Sequence, residues 1–321
     1  FALPPVMAVI EISFDPLLRL GELSVRWQTI GVTVALLAAL AVAALMAPDI
    51  SSQRPFFRRG PRDLRPRFPE APVIAPNGEV LSAWPLRLDD MVLIIAAIVP
   101  GAVVGGRLVH ALAFWDAYAA NPGQIFNPSV GALSLTGAIL GGLFSGSYVC
   151  RLIGAPARRW MDAAAVPLLL AIALGKLSQF LGGSGQGLPF DGPWAVAFGG
   201  GGPWVSTNPD LASHPSQIYE GIWALIGIPV VLRLAGPRRR PLRVNTRVAW
   251  ADRSAPEGWL FVLGLSWFLV GRVLIGFTWR DDATVGPLNG EQVIALIVLV
   301  GAQLYFRGRT RRRGLRSIVS T

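Results

Sequence analysis

The sequence predicts an all-α integral membrane protein with seven transmembrane helices. Hydrophobic residues make up 52% of the 321 residues, and only 15% are charged, whereas a soluble domain carries about 25% charged residues. The mean hydropathy is +0.50 and the pI is about 11.1. A soluble nucleic-acid-binding protein would present its arginines on a folded basic surface. Here the arginines cluster in short loops between apolar runs, which favours membrane topology and argues against nucleic acid as a partner.

Seven apolar stretches are each near 20 residues long, the length that crosses about 30 Å of hydrocarbon. They lie at roughly 27–46, 90–113, 131–153, 160–181, 215–235, 257–277 and 291–306. The stretches 90–113 and 131–153 are rich in glycine and alanine, as close helix packing in lipid requires. We therefore expect one membrane domain that covers residues 1–321.

Arginine distribution predicts the orientation of these spans. The segments rich in arginine are 47–88, 151–159, 238–253 and the tail 307–321. The alternate loops 114–130 and 182–214 contain no lysine or arginine, and 278–290 contains Arg280 alone. By the positive-inside rule, the N-terminus is expected outside and the C-terminus in the cytoplasm.

Three segments outside the spans carry their own predictions. Residues 1–26 mix apolar and charged residues and are expected to form an interfacial helix or two on the outer face. The basic, proline-rich loop 47–88 would be ordered by anionic lipid headgroups or by a partner, and the basic tail 307–321 is expected to bind anionic lipid. The loop 182–214 is rich in glycine and connects the fourth and fifth spans on the outer side.

Lys176 is the only lysine in the chain, and it lies within the apolar run 163–177. A charge inside a membrane span costs roughly 2.5–3.5 kcal/mol on insertion scales, so it marks a candidate functional site. Arg272 lies deeper in its own apolar run. Either Lys176 extends its ammonium group to the interface, or Lys176 and Arg272 flank one anionic headgroup.

A polar motif opens the fifth span, and it reads His214-Pro215-Ser216-Gln217-Ile218-Tyr219-Glu220. Proline is compatible with the first turn of a helix, and the polar residues suit a helix start. Taken alone, the motif indicates a helix cap, which gives His214, Pro215, Ser216, Gln217, Tyr219 and Glu220 a structural role.

The order of several motifs resembles the prolipoprotein diacylglyceryl transferase (Lgt) family. The matching segments are Gly175-Lys176-Leu177-Ser178-Gln179-Phe180, the glycine loop that ends at Gly187, Pro193 to Phe198, and His214 to Glu220. Further similar positions are Ser24 to Trp27, Gly105 to Leu108, Asn121 to Gly137, Arg272 and Gln292. The resemblance therefore covers nearly the whole chain.

The resemblance implies a reaction in which diacylglyceryl passes from phosphatidylglycerol to the lipobox cysteine of a prolipoprotein, with glycerol phosphate as the leaving group. It implies phosphatidylglycerol or another anionic phospholipid as ligand, and no metal or organic cofactor. The implied catalytic residues are Lys176, Arg272 and Thr136. The implied lipid-binding residues are Gln28, Arg107, Lys176, Gln179, Gly187 and Arg272.

The departures from the family pattern fall on its chemical residues. The family has tyrosine, histidine, arginine and asparagine where this chain has Gln28, Thr136, Lys176 and Gln179. Its glutamate shortly after the sixth-span arginine has no equivalent near 276–277. Threonine cannot accept a proton near neutral pH as histidine can. Lysine keeps the positive charge but lacks the planar fork that binds phosphate through two parallel hydrogen bonds.

Two functions remain open from the sequence. The first is a transferase with an altered site, and the second is a non-catalytic relative that binds lipid or serves as a subunit of a larger membrane complex. A transporter is disfavoured, because the spans contain few polar residues outside the cluster that includes Lys176 and Arg272.

Overall fold

The computed structural model describes residues 9–46, 88–127, 133–234, 241–244, 247–250 and 257–319. The predicted basic loop 47–88 lies outside the described residues except at its last position. The described chain is mainly helical, with α1 Trp27–Met46, α2 Leu88–Ala113, α3 Trp115–Ala119, α4 Leu135–Leu152, α5 Ala157–Phe180, α6 Ser216–Leu234, α7 Trp259–Ile275 and α8 Gly290–Val319.

Five of the described helices are long and apolar enough to cross a membrane, namely α1, α2, α5, α6 and α7, the last extended by the 3-10 turn Gly276–Thr278. This architecture fits an integral membrane protein. Helix α4 is less apolar, and the apolar part of α8, Gly290–Phe306, is shorter. The count of seven spans therefore stays a prediction. The backbone of the tail continues α8 as far as Val319.

The N-terminal segment corrects one prediction, because residues 10–26 form strands and not an interfacial helix. Strand β1 (Ile10–Ile12) pairs in parallel with β4 (Val196–Phe198), and β2 (Leu17–Leu20) pairs with β3 (Leu23–Arg26) as an antiparallel hairpin. The hairpin turns at Gly21, whose φ of 64° favours glycine. The amide of Ile10 bonds to the carbonyl of Ala195 far along the chain, so this pairing depends on a tertiary contact.

Two further strand pairs join later elements. Strands β5 (Pro241–Val244) and β6 (Arg247–Trp250) are antiparallel, as are β7 (Ala283–Val285) and β8 (Leu288–Asn289). The pair β7–β8 lies between α7 and α8 and leads directly into the first turn of α8.

The chain separates into two compact units, and each is described by itself. The first unit contains the described residues up to Leu40, Pro167–Pro229 and Ser266–Leu296. The second contains the described residues of Ala41–Val166, Val230–Leu265 and Ile297–Thr321.

In the second unit, α2 and α4 approach each other through glycine. A Cβ atom on Gly141 would collide with the carbonyl oxygen of Gly101, and one on Gly105 would collide with the carbonyl oxygen of Gly137. This contact confirms the close packing predicted from the glycine content of the two segments.

In the first unit, the loop between α5 and α6 folds around a small apolar core. Val196, Phe198 and Trp204 are buried together, and the Trp204 Nε1–H donates to the carbonyl of Gly199 at 3.0 Å. The amide of Val196 bonds to the carbonyl of Ser213 at 3.0 Å. These contacts hold the glycine-rich segment at the start of α6.

Candidate functional site

Lys176 and Arg272 meet at one carboxylate, that of Glu220. The Lys176 Nζ lies 2.7 Å from Glu220 Oε2, and the Arg272 Nη1 lies 2.6 Å from Glu220 Oε1. Their side chains are 8%, 10% and 4% exposed in the order Lys176, Arg272, Glu220. Lys176 is therefore buried and paired and does not extend to an interface. The two cations do flank one anion, as the sequence suggested, but in the described residues that anion is Glu220.

A second carboxylate and an indole ring complete this arrangement. Glu291, in the first turn of α8, lies 3.6 Å from Arg272 Nη2. The ring of Trp279 lies 4.7 Å from Lys176 Nζ and 5.5 Å from the Arg272 guanidinium carbon, and its Nε1–H donates to Glu220 Oε1 at 3.2 Å. We call Lys176, Glu220, Arg272 and Glu291 the charge cluster, and Trp279 covers both of its cations.

The charge cluster is balanced, with two cations and two carboxylates. Buried charges persist only when they are paired, and each cation here has a carboxylate within 4 Å. Asp281 follows Trp279, and burial raises the pKa of its carboxyl group, although the nearby Arg272 opposes the rise. Arg272 Nε is buried and has no hydrogen-bond partner among the described residues, so one donor of the cluster is available to a ligand.

Gly187 positions the covering indole ring. Its amide bonds to the carbonyl of His214 at 2.8 Å, and its carbonyl accepts from Arg280 Nε at 2.6 Å. A Cβ atom at this position would collide with Ser216 Oγ and with the carbonyl oxygen of Thr278. Only glycine allows this approach, so Gly187 holds the segment 278–280 against the start of α6.

His214, Ser216 and Tyr219 tie the motif that opens α6 into the neighbouring residues. The ring of His214 stacks on Phe190 at 4.0 Å, and its Nδ1 lies 3.2 Å from the hydroxyl of Tyr219. The Trp194 Nε1–H donates to the same hydroxyl at 2.7 Å. Partial burial lowers the pKa of His214. Ser216 Oγ lies 2.7 Å from Thr278 Oγ1, which joins the start of α6 to the end of α7.

The two glutamines of the predicted lipid-binding set also lie in the first unit. Gln28 packs against the glycine loop, where its Oε1 accepts from Ser184 Oγ at 3.1 Å. Gln179 lies one turn beyond Lys176, and its Oε1 is buried without a hydrogen-bond partner in the described chain. A Cβ atom on Gly185 would lie 3.4 Å from the Oε1 of Gln179.

Arg107 and Thr136 belong to the second unit, which is described separately from the charge cluster. Arg107 donates to the carbonyls of Gln124, Ile125 and Asn127 at 2.8–2.9 Å. Thr136 is 1% exposed, and its hydroxyl has no partner within the described residues. The roles predicted for these two residues stay predictions.

The sequence reasoning missed Trp279 and Glu291, and it gave Glu220 only a capping role. Glu291 could have been found, because a carboxylate at the start of an apolar helix carries the same signal as Lys176. Trp279 carried no such signal, since tryptophan is common at the ends of membrane spans. Among the described residues, no three His, Cys, Asp or Glu side chains come together as metal ligands.

Comparisons with known proteins agree with the resemblance. Residues 79–307 match the family model described as prolipoprotein diacylglyceryl transferase. Three curated relatives are named phosphatidylglycerol–prolipoprotein diacylglyceryl transferase. The relative from Clostridioides difficile is 27% identical over 216 residues, 67% of this chain and 77% of its own. That from Gloeobacter violaceus is 28% identical over 304 residues, 92% and 94% of the two chains. That from Trichormus variabilis is 30% identical over 238 residues, 70% and 76% of the two chains.

The apolar helices and these bacterial relatives together imply a multi-pass protein of a bacterial inner membrane.

Proposed function

We propose that this chain, which belongs to the prolipoprotein diacylglyceryl transferase family, transfers diacylglyceryl from phosphatidylglycerol to the lipobox cysteine of a prolipoprotein. The observation that carries the proposal is the buried cation pair. Lys176 and Arg272 come from two different helices and meet at the carboxylate of Glu220, and Arg272 Nε is a donor that no described residue uses. Such a cluster is costly in a membrane protein and marks function.

In the proposed reaction, the lipobox thiol loses its proton to solvent, and the thiolate sulfur attacks the diacylglyceryl carbon that carries the phosphate ester oxygen. A carbon–sulfur bond forms, the carbon–oxygen bond to the phosphate breaks, and glycerol phosphate leaves with the bonding electrons. Lys176 and Arg272 stabilise the negative charge of the leaving phosphate, and Glu220 and Glu291 hold the two cations in place before the lipid enters. Trp279 covers the cations, so we propose that its ring moves aside to admit the headgroup.

The finer topology belongs to the same proposal. Seven spans, with α4 and the apolar part of α8 added to the five longer helices, form one membrane domain over residues 1–321. The alternation of arginine-rich and arginine-poor loops supports an outer N-terminus and a cytoplasmic C-terminus. The charge cluster then faces the outer leaflet.

The test is a transfer assay with the purified full chain, phosphatidylglycerol vesicles and a peptide that contains a lipobox cysteine. We expect a thioether-linked diacylglyceryl peptide by mass spectrometry, and loss of this product in Lys176→Ala. Arg159→Ala is the matched control, because Arg159 pairs with Glu257 in the second unit, and it should retain product. Absence of product from the unmodified chain would contradict the proposal.

A second candidate function is a non-catalytic lipid-binding member of the family, in which case the protein acts as a subunit of a larger membrane complex. The balanced charge of the cluster and the buried threonine at 136, where the family has histidine, favour this candidate. The double variant Lys176→Arg, Thr136→His discriminates between the two. Gain of product in the double variant alone, with phosphatidylglycerol bound to both proteins, would identify the natural chain as the non-catalytic member. A second homologue in the same genome with the family residues intact would support the same conclusion.

A further inference from the structure

Gln217, in the first turn of α6, is the most unusual polar side chain of the first unit. It is 0% exposed, and neither its Oε1 nor its Nε2 has a hydrogen-bond partner among the described residues. Burying an amide without partners is unfavourable, and native proteins contain few such groups. The helix cap that the sequence suggested does not explain this side chain, because a capping amide would bond to the backbone.

The position of Gln217 relates it to the charge cluster. Residues three apart on a helix share one face, so Gln217 lies one turn from Glu220 on α6, and Gln179 lies one turn from Lys176 on α5. Lys176 and Glu220 are in contact at 2.7 Å. Both glutamines lie on the side of that ion pair that leads to the loop joining α5 and α6, because α5 ends at Phe180 and α6 begins at Ser216.

Helices α5 and α6 pack closely beside the ion pair of Lys176 and Glu220. A Cβ atom on Gly221 would lie 3.0 Å from the side chain of Leu177 and 3.2 Å from the carbonyl oxygen of Ala173. Gly221 lies one turn from Gln217 on α6, so the face of α6 that carries Gln217 packs against α5 near the ion pair. Gln179 Oε1 is an unpaired buried acceptor in the same part of the described structure.

The unpaired atoms define the chemistry of a suitable ligand. Gln217 offers an NH2 group with two N–H donors and a carbonyl oxygen acceptor, and Gln179 offers a carbonyl oxygen acceptor. A phosphate oxygen only accepts and an ammonium group only donates, whereas a hydroxyl group does both. The set of unpaired atoms therefore matches hydroxyl groups, and the donor that remains on Arg272 Nε matches a phosphate oxygen beside them.

We propose that Gln217, together with Gln179, forms a subsite for the headgroup hydroxyls of a polyol phospholipid, and that Gln217 determines specificity for a glycerol headgroup. This inference rests on the proposed function and deepens it. The phosphate of the same lipid lies against Lys176 and Arg272, and the terminal hydroxyls bond to the two glutamine amides.

The test measures lipid binding and does not depend on transfer. The full chain in detergent is titrated with dihexanoyl phosphatidylglycerol and with dihexanoyl phosphatidylpropanol, which has the same charge and acyl chains but no headgroup hydroxyl. We expect phosphatidylglycerol to bind about tenfold tighter, the effect of a hydrogen bond to an otherwise unpaired buried group. Free glycerol 1-phosphate is a third ligand and should bind at least about tenfold more weakly than the lipid, because it lacks acyl chains to bury.

Gln217→Leu should remove the preference, so that the ratio of the two lipid affinities falls to about one while phosphatidylpropanol binding changes by less than about twofold. Without lipid, this variant should be as thermally stable as the parent or more so, because an unpaired buried amide is removed. Gln179→Leu should reduce the preference in the same direction.

Gln292→Leu is the matched control. This glutamine is also buried, but its Oε1 accepts from the Asn289 amide at 2.8 Å and its Nε2–H donates to the Val273 carbonyl at 2.8 Å. We expect lower thermal stability with an unchanged lipid preference. A structural role for Gln217 would instead give the Gln292 pattern at both positions.

Three results would overturn the inference: equal affinity of the parent chain for the two lipids, a preference that survives Gln217→Leu, or glycerol 1-phosphate binding as tightly as the lipid. Each result is separable from failure of the proposed function. Transfer without a hydroxyl preference overturns only the subsite, and a hydroxyl preference without transfer places the same subsite in a non-catalytic protein.

Discussion

Helices associate through different interactions in two regions of the molecule. One region is the contact between α2 and α4, and the other is the contact among α5, α6 and α7. In the first, glycines let the backbones of two helices touch. In the second, Lys176 and Arg272 reach Glu220 from neighbouring helices. Apolar side chains gain little from leaving lipid for protein, so helices associate through backbone packing or through polar contacts. Only the polar contact also provides reactive groups.

The largest difference between the two contacts is expected from Glu220→Gln. Removing the carboxylate leaves Lys176 and Arg272 without their shared partner, and breaking a buried pair typically costs about 3–5 kcal/mol. The free energy of unfolding in detergent should fall by about that amount. The control is Glu257→Gln, which removes a carboxylate that is 49% exposed and pairs with Arg159 at 3.0 Å; its cost should be about 0–1 kcal/mol. Equal losses for the two variants would show that the cluster does not hold the helices.

A smaller loss is expected from Gly141→Ala in the glycine contact. The added methyl group meets the carbonyl oxygen of Gly101, and such overpacking costs about 1–3 kcal/mol. Gly301→Ala is the matched control in the same unit, because a Cβ atom there meets nothing within 4 Å. It should stabilise the protein by up to about 1 kcal/mol, since alanine favours the helix. Unfolding measurements that give the two variants the same sign would contradict the packing argument.

The smallest expected effect is a change of stability with pH that depends on His214 and not on the glycine contact. The pKa of His214 is lowered in the folded protein from its ordinary value of 6.5, because the ring is partly buried. Below pH 6.5 the unfolded chain therefore binds more protons than the folded chain, and stability should fall as the pH decreases towards the folded pKa. The difference in melting temperature between the parent chain and His214→Gln should be larger above pH 6.5 than below it.

Gly141→Ala provides the contrast for this titration, because the atoms nearest to a Cβ on Gly141 belong to Gly101 and Gly105, which do not titrate. Its loss of melting temperature relative to the parent should be the same at pH 7.5 and at pH 5. A loss that varies with pH, or a His214→Gln curve parallel to that of the parent, would contradict the assignment of the pH effect to His214.

The parts of the fold that the sequence predicted are those with a local signal. The apolar runs at 27–46, 90–113, 160–181, 215–235 and 257–277 correspond to α1, α2, α5, α6 and α7 within a few residues. The glycine and alanine content of 90–113 and 131–153 predicted close helix packing, and the structure shows it between α2 and α4. The prediction of an interfacial helix for residues 10–26 was wrong because β1 has only three residues, and its pairing with β4 depends on a segment more than 180 residues away.

Of the candidate site, too, the sequence predicted only the residues that carry a local signal. A lone lysine in an apolar run identified Lys176, and a deep arginine identified Arg272, because a charge in a span is costly wherever it occurs. The partner of these cations could not be identified, since Glu220 lies in a helix-start motif whose local pattern indicates a cap. Glu291 and Trp279 contact the two cations only because of the way α7 and α8 pack in the tertiary structure.

By itself, the sequence determined that this chain is a membrane protein of the transferase family with two costly cations, because hydropathy, motif order and buried charge are properties of segments. The tertiary structure alone decided that one carboxylate joins both cations, that an indole ring covers them, and that the buried amide of Gln217 has no partner among the described residues. The physical reason is that pairing and burial depend on distances between helices that are far apart in the chain.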